Sequence, residues 1–310
     1  MLIAVGIDDN PEAFDAMVLA TTIARVTAAE VVLATVYPDL PASLLRKIGR
    51  GRAPAEALLR KLNAFMAPEA RTVVEHDWSV AHALARIVSR EHPELLVLGS
   101  SRHALEGRVR IGMHTRQLLG EAKCSLAVAP RGLSPEGQNR LTVIAAGYDG
   151  TREAGQAIRQ AGSLARAARA RLRVRAVIDD RLPYVGSNPV RPYVQGMWDD
   201  VIAPEVESLR QAAHREASAT GADFTVEAGS GAPVDELIAL SDEVDLLVIG
   251  SRHWGSALRV LLGSTGEELM HNARCSMMVV PRPAQSVDGR SELDRHQRRG
   301  DDSAPLSARE

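Results

Sequence analysis

The stretch Val248–Thr265, V-I-G-S-R-H-W-G-S-A-L-R-V-L-L-G-S-T, reads as a strand, a turn entered at Gly250 and a helix opened by Gly263-Ser264-Thr265. That is the order of a nucleotide-phosphate cradle, because glycine lets backbone approach an oxyanion and the free amides of a helix start attract it. A weaker copy, V-L-G-S-S-R-H-A-L-E-G-R-V-R-I-G-M-H, runs from Val97 to His114. Gly99 and Gly112 repeat Gly250 and Gly263 at an offset of 151 residues, and the match continues through Cys124 and Cys275 to Pro130-Arg131 and Pro281-Arg282. The chain is therefore a tandem duplication, read before any element is assigned.

Nearer the N-terminus the offset is smaller. Asp8 matches Asp149 and Val36 matches Val177 at 141 residues, whereas Glu94 and everything after it match at 151, so the second copy carries about ten extra residues. Leu182 to Trp198, broken by Pro183, Gly186, Pro189, Pro192 and Gly196, is the expected insertion.

The repeat divides 310 residues into domains at 1–132 and 141–283, a linker at 133–140 and a tail at 284–310 whose polar, charged composition predicts disorder. Lys and Arg number 37 against 39 Asp and Glu, a balance that leaves no electrostatic footprint for nucleic acid or an anionic membrane. No apolar run approaches a membrane span and no secretory leader is evident, so a cytoplasmic location is expected. Cys124 and Cys275 sit just before apolar strands and read as buried, inert thiols.

Each half alternates short aliphatic runs with helical patterns, the signature of βαβ crossovers and a parallel sheet. The predicted strands are Leu2–Ile7, Val31–Val36, Thr72–Val74, Leu95–Leu98 and Leu126–Ala129, then Leu141–Ala146, Leu172–Ile178, Phe224–Val226, Leu246–Ile249 and Met277–Val280. Five strands per half imply an α/β fold of two doubly wound, Rossmann-like sheets, in which a ligand binds beyond the strand C-termini where strand order reverses.

The residues at that edge carry two readings each. Asp149 after the first strand of the second half either caps the helix that follows or turns its carboxylate toward Mg²⁺, a ribose or a phosphate-bridging water. Gly250 is a strand terminator or a phosphate turn, and Ser264 is an ordinary N-cap or, with Thr265, an added donor. Arg102, Arg108, Arg252 and Arg259 are solvated cations or phosphate partners. The nine His form no metal-ligand spacing, so a metal-ligand or acid–base role for His253 is disfavoured. Neither G-x-G-x₂-G after the first strand nor G-x₄-G-K-[ST] is present, which argues against a dehydrogenase or a P-loop hydrolase.

Taken together, Ala145–Gly150, Val177, Asp245–Arg252, Leu261–Ser264 and Cys275–Pro281 resemble the universal stress protein family in its tandem form, over about residues 1–282. The resemblance implies two domains packed as a pseudo-dimer through their fifth strands, and a non-enzymatic, ATP-responsive stress protein. It implies G-x₂-G-x₉-G-[ST] after strand four, an Asp after strand one and a Val whose backbone meets adenine. On this chain those positions are Gly250, Arg252, His253, Gly263, Ser264 and Thr265, with Asp149 and Val177, and Mg²⁺ at Asp149. His253 stands where the family has its second Gly. In the first half Arg102 takes that place and Met113 follows Gly112, so a degenerate site is expected there. The alternative is a scaffold of the same fold that engages a protein partner.

Overall fold

A computed structural model describes residues 1–66, 70–121, 123–133, 140–180, 202–251 and 262–281. The first half contributes β1 (Leu2–Ile7), α1 (Glu12–Thr27), β2 (Glu30–Tyr37), α2 (Ala42–Lys47), α3 (Arg52–Met66), β3 (Arg71–His76), α4 (Val80–Glu91), β4 (Leu95–Gly99), α5 (Met113–Leu119) and β5 (Ser125–Ala129). The second contributes β6 (Val143–Tyr148), α6 (Arg152–Ala168), β7 (Arg171–Asp179), α7 (Ala203–Ser218), β8 (Asp223–Gly231), α8 (Pro233–Ser241), β9 (Leu246–Gly250), α9 (Ser264–Asn272) and β10 (Ser276–Val280). The predicted strands are all present. The eighth continues five residues beyond Val226 because β7 pairs with it through Asp179 and Gly231. The expected insertion and tail lie outside the described residues.

The ten strands form one sheet in the order β3-β2-β1-β4-β5-β10-β9-β6-β7-β8. Within each half every pairing is parallel, and order reverses between β1 and β4 and between β6 and β9. The halves join antiparallel, Val128 opposite Met277, Ala127 opposite Met278 and Leu126 opposite Val279. The four strands nearest that seam, β4, β5, β9 and β10, are nearly continuous aliphatic runs, as sequences covered on both faces require. The outer strands β3 and β8 place charge on the exposed edges, which discourages further strand addition.

Helices cover both faces. On one, Met17 and Ile23 of α1 and Ile158 and Leu164 of α6 share a single core with Met278 and Ala127 of the seam, and α3 and α7 close its flanks. On the other, Ile87 of α4, Leu118 of α5, Leu240 of α8 and Leu269 of α9 form a second continuous core. Both cysteines lie inside, and burial pushes the Cys124 thiol up to about 12 and the Cys275 thiol higher still.

One buried acid holds the start of the connection between the halves. Asp15 of α1 is 6 % exposed and accepts the Gly132 amide at 3.0 Å. Burial raises its pKa from 3.8 to about 6, outweighing the backbone hydrogen bonds from Gly132 and Leu133 that lower it. Because the folded value is the higher one, protonation favours the fold. That contribution is fully present below about pH 3.8 and is lost as pH rises through about 6, up to about 3 kcal/mol over the interval. Urea midpoints should therefore fall between pH 5 and 7, and Asp15→Asn should flatten that segment of the profile. An unchanged slope in the variant would refute the assignment.

Candidate functional site

The reversal of strand order between β1 and β4 opens a cleft of about 690 Å³ at the strand C-termini of the first half. Its walls come from the β1–α1 turn, the end of β2, the Gly49–Gly51 turn before α3, and the β4–α5 loop. Ala34, Val36, Leu58, Leu84 and Leu98 supply apolar lining, and Arg50, Arg102, His103 and His114 line it as well. The Gly49-Arg50-Gly51 turn escaped the sequence reading. Its signal is the pair of glycines flanking an arginine, which the chain uses at φ +67° and +134°, values that favour glycine.

Asp8 and Asp9 of this cleft are engaged, and Glu12 only through one oxygen. Asp8 accepts from the Asn10 amide at 3.1 Å and from Asn10 Nδ2 at 2.6 Å, and Asp9 pairs with Arg50 at 3.7 Å. Glu12 meets Arg131 at 3.3 Å through Oε1, and its Oε2 is buried without a hydrogen-bond partner. In the second half Asp149 does the same work as Asp8. Its Oδ1 accepts from both the amide and the hydroxyl of Thr151, at 3.0 and 2.6 Å, while Thr151 caps α6 by accepting the Ala154 amide. The cap of α6 is therefore Thr151; Asp149, expected as a helix cap, instead orders the turn that presents Thr151.

The two motif glycines of each half differ in cause. A Cβ on Gly99 would lie 2.1 Å from the Glu12 carbonyl oxygen, and one on Gly250 would lie 2.5 Å from the Glu153 carbonyl carbon. These glycines exist because the fourth strand ends against the backbone of the first helix turn. Gly112 and Gly263 have extended backbone, φ −83° and −84°, which any residue adopts. A Cβ on Gly112 would meet nothing closer than Ser101 Cβ at 3.9 Å. Among the described residues neither conformation nor packing demands glycine at 112.

The cap of α9 is Gly263, one residue before the Ser264 expected from sequence, and it makes no side-chain hydrogen bond; the first bond into the helix runs from the Glu267 amide to the Gly263 carbonyl at 2.8 Å. The amides of Ser264, Thr265 and Gly266 therefore precede the ladder. Val177 lies one residue beyond the last β6–β7 pair, Tyr148 with Ala176, and Gly250 ends β9. Asp149, Val177, Gly250 and Gly263–Thr265 thus share one sheet edge, while Arg252 and His253 lie outside the described residues. Arg175, at the place of Ala34, is ion-paired there with Glu227 at 2.7 Å and with Glu236. That charged pair stands where the first half has a small apolar residue.

The β4–α5 loop also binds the other half. The Val109 amide donates to the Ala273 carbonyl at 2.8 Å and the Ile111 amide to the Met270 carbonyl at 3.0 Å, so the loop satisfies carbonyls at the C-terminal end of α9. Val109 and Ile111 are buried in the core that contains Leu269 and Met270. Arg108 donates to the Asn272 carbonyl at 3.5 Å. Arg116 adds an ion pair to Glu267 at 3.1 Å.

A family model described as the universal stress protein family matches residues 1–130 and again 141–281. A universal stress protein of Synechocystis is 32 % identical over 111 residues, 34 % of this chain and 99 % of that protein. One from Methanocaldococcus jannaschii is 27 % identical over 103 residues, 30 % of this chain, which spans only 61 % of that protein's length. Among solved structures, a universal stress protein of Archaeoglobus fulgidus superposes with a TM-score of 0.64 at 16 % identity, over 91 % of this chain and 98 % of that one, a likeness of fold.

Proposed function

Because the chain belongs to the universal stress protein family, with two of its domains in tandem, we propose that it is a non-catalytic stress-response protein whose second half takes an adenine nucleotide such as ATP. The observation that carries this reading is the start of α9. Three amides ahead of the ladder, which Gly263 has no side chain to cap, lie beside the Ser264 and Thr265 hydroxyls at the edge where Asp149 and Val177 also end. An anion there gains the amides and the positive end of a nine-residue helix. The base would lie toward Val177.

Mg²⁺ fits only as a companion of the phosphates. Among the described residues no three His, Cys, Asp or Glu side chains are grouped to hold a metal. Asp149 Oδ1 is committed to Thr151. Asp149 Oδ2 would be the one protein oxygen offered, the rest of the shell coming from phosphate and water, as is usual for this ion.

The test is calorimetric titration of the full chain with ATP and Mg²⁺, together with mass spectrometry of nucleotide released on denaturation. Ser264→Glu sets a carboxylate at the cradle and should weaken ATP at least about tenfold, or about 1.4 kcal/mol. Absence of binding at millimolar ATP would overturn the reading in favour of a scaffold. One observation favours that second reading. Leu44, Ile48, Trp78, Leu105 and Met113 are exposed, Trp78 by 74 %, and all lie in the first half beyond the C-terminal ends of its strands. No described helix is long and apolar enough to cross a membrane.

A further inference from the structure

The seam between the halves has the order of a two-fold interface, and the offset of 151 residues shows which side chains lie on its axis. Val128 faces Met277 and Leu126 faces Val279. These two pairs repeat each other, since Leu126 corresponds to Met277 and Val128 to Val279. Between them Ala127 faces Met278, its own equivalent. A residue opposite its own equivalent marks the axis. The same holds between α5 and α9, where Arg116 pairs at 3.1 Å with Glu267, again its equivalent at 151 residues.

At both axial positions the halves carry different residues, and the difference is complementary. Met278 is fully buried in the core that contains Met17 of α1 and Ile158 of α6, and the residue opposite it on the same face is the small Ala127. Arg116 meets an acid, and its second terminal nitrogen donates to His271 Nε2 at 2.9 Å. The first half has Gly120 at the place of His271. Arg116 therefore finds both of its acceptors only on the second half.

Two copies of one half, joined by the same edge, would bring identical residues together on the axis. A pair of first halves would set Arg116 against Arg116 and Ala127 against Ala127, leaving unfilled the volume that Met278 takes up. A pair of second halves would set Glu267 against Glu267 and crowd two Met278 side chains into the space of one. Charge is the smaller part of this penalty, because Arg116 and Glu267 are 51 % and 48 % exposed and water screens them. The mismatch in the core is the larger part, since it is removed from solvent.

From these observations we infer that the seam is a selective interface, in which Ala127 with Met278 and Arg116 with Glu267 make each half the partner of the other in preference to a second copy of itself. The β5 and β10 edges supply adhesion, and the axial residues supply the choice. The first half thus fits a domain of this fold that presents an acid and a large apolar side chain on the axis, and the second half fits one that presents a cation and a small side chain.

The full chain serves for the test, because one substitution in it reproduces an axial contact of a self-pair. Met278→Ala sets alanine against alanine, Ala127→Met sets methionine against methionine, and Glu267→Arg and Arg116→Glu set like charges together. Urea denaturation compares these four with two exchanged chains, Ala127→Met with Met278→Ala and Arg116→Glu with Glu267→Arg. Met278→Ala is expected to raise the unfolding equilibrium constant at least about tenfold, Ala127→Met at least about fivefold and each charge reversal about two- to fivefold. Each exchanged chain is expected to be more stable than either of its single parents. In about 1 M NaCl the deficits of the charge reversals should vanish and those of the core substitutions persist. The charge reversals lie at the surface, so they keep the test readable where a core variant fails to fold. An exchanged chain less stable than its single parents would mean that each residue suits its own half and not the pairing, and would overturn the proposal. So would single substitutions that leave the chain as stable as the unmodified one.

Discussion

Gly99→Ala should destabilise the first half by more than about 3 kcal/mol, whereas Gly112→Ala should cost no more than about 1 kcal/mol. The added methyl at 99 would sit 2.1 Å from the Glu12 carbonyl oxygen and 2.7 Å from its carbon. Backbone cannot yield there as a side chain would. Glu12 opens α1, and the Ala13 amide is fixed to the Asn10 carbonyl at 3.1 Å. Relief would require the helix to retreat from the sheet and open the core under Ala16 and Met17, both fully buried. At 112 the backbone is extended and the nearest atom is 3.9 Å away, so the cost is that of a poorer helix cap alone. Urea denaturation of the two variants separates them. Gly250→Ala should follow Gly99→Ala, its methyl meeting the Glu153 backbone at 2.5 to 2.6 Å. Equal losses at 99 and 112 would mean that both glycines serve the same purpose.

That contrast shows where sequence is legible and where it stops. The duplication and the strands were readable because central parallel strands must be aliphatic nearly throughout, and β4, β5, β9 and β10 are. Helix ends were less so. α1, α4 and α6 finish in the left-handed region at Ala28, His92 and Arg169, where no glycine announces the stop. The motif glycines were visible, but their causes were not, since the reason for Gly99 is a carbonyl 87 residues away in the chain. Asp149 reads in sequence as a helix cap or a ligand contact, but the cap is Thr151, two residues on, and Asp149 holds that residue in place. The engagement of Arg108 with Asn272 spans 164 residues and leaves no local periodicity to detect. Nor does the order of Arg102's loop, which depends on carbonyls of β5 and α9.

The second large effect is expected at the seam. β5 and β10 meet only each other on their inner sides, and every residue of both strands is buried. A half released from its partner would present an aliphatic edge with unpaired amides and carbonyls, the arrangement that most favours pairing with another strand. It would also expose Val109 and Ile111, which the intact chain packs against α9. Residues 1–133 and 140–281, prepared separately and mixed, should therefore form a one-to-one complex in sedimentation, and each alone should self-associate. Met278→Asp tests the cause. Met278 is fully buried, opposite Ala127, in the core shared by α1 and α6. No Lys or Arg is buried among the described residues, so a carboxylate there must be buried charged or take up a proton. In the intact chain the substitution should cost more than about 4 kcal/mol, and in the mixed fragments it should abolish the complex. Two stable monomers that ignore each other, or a complex indifferent to Met278→Asp, would mean that the β5–β10 pairing does not hold the halves together.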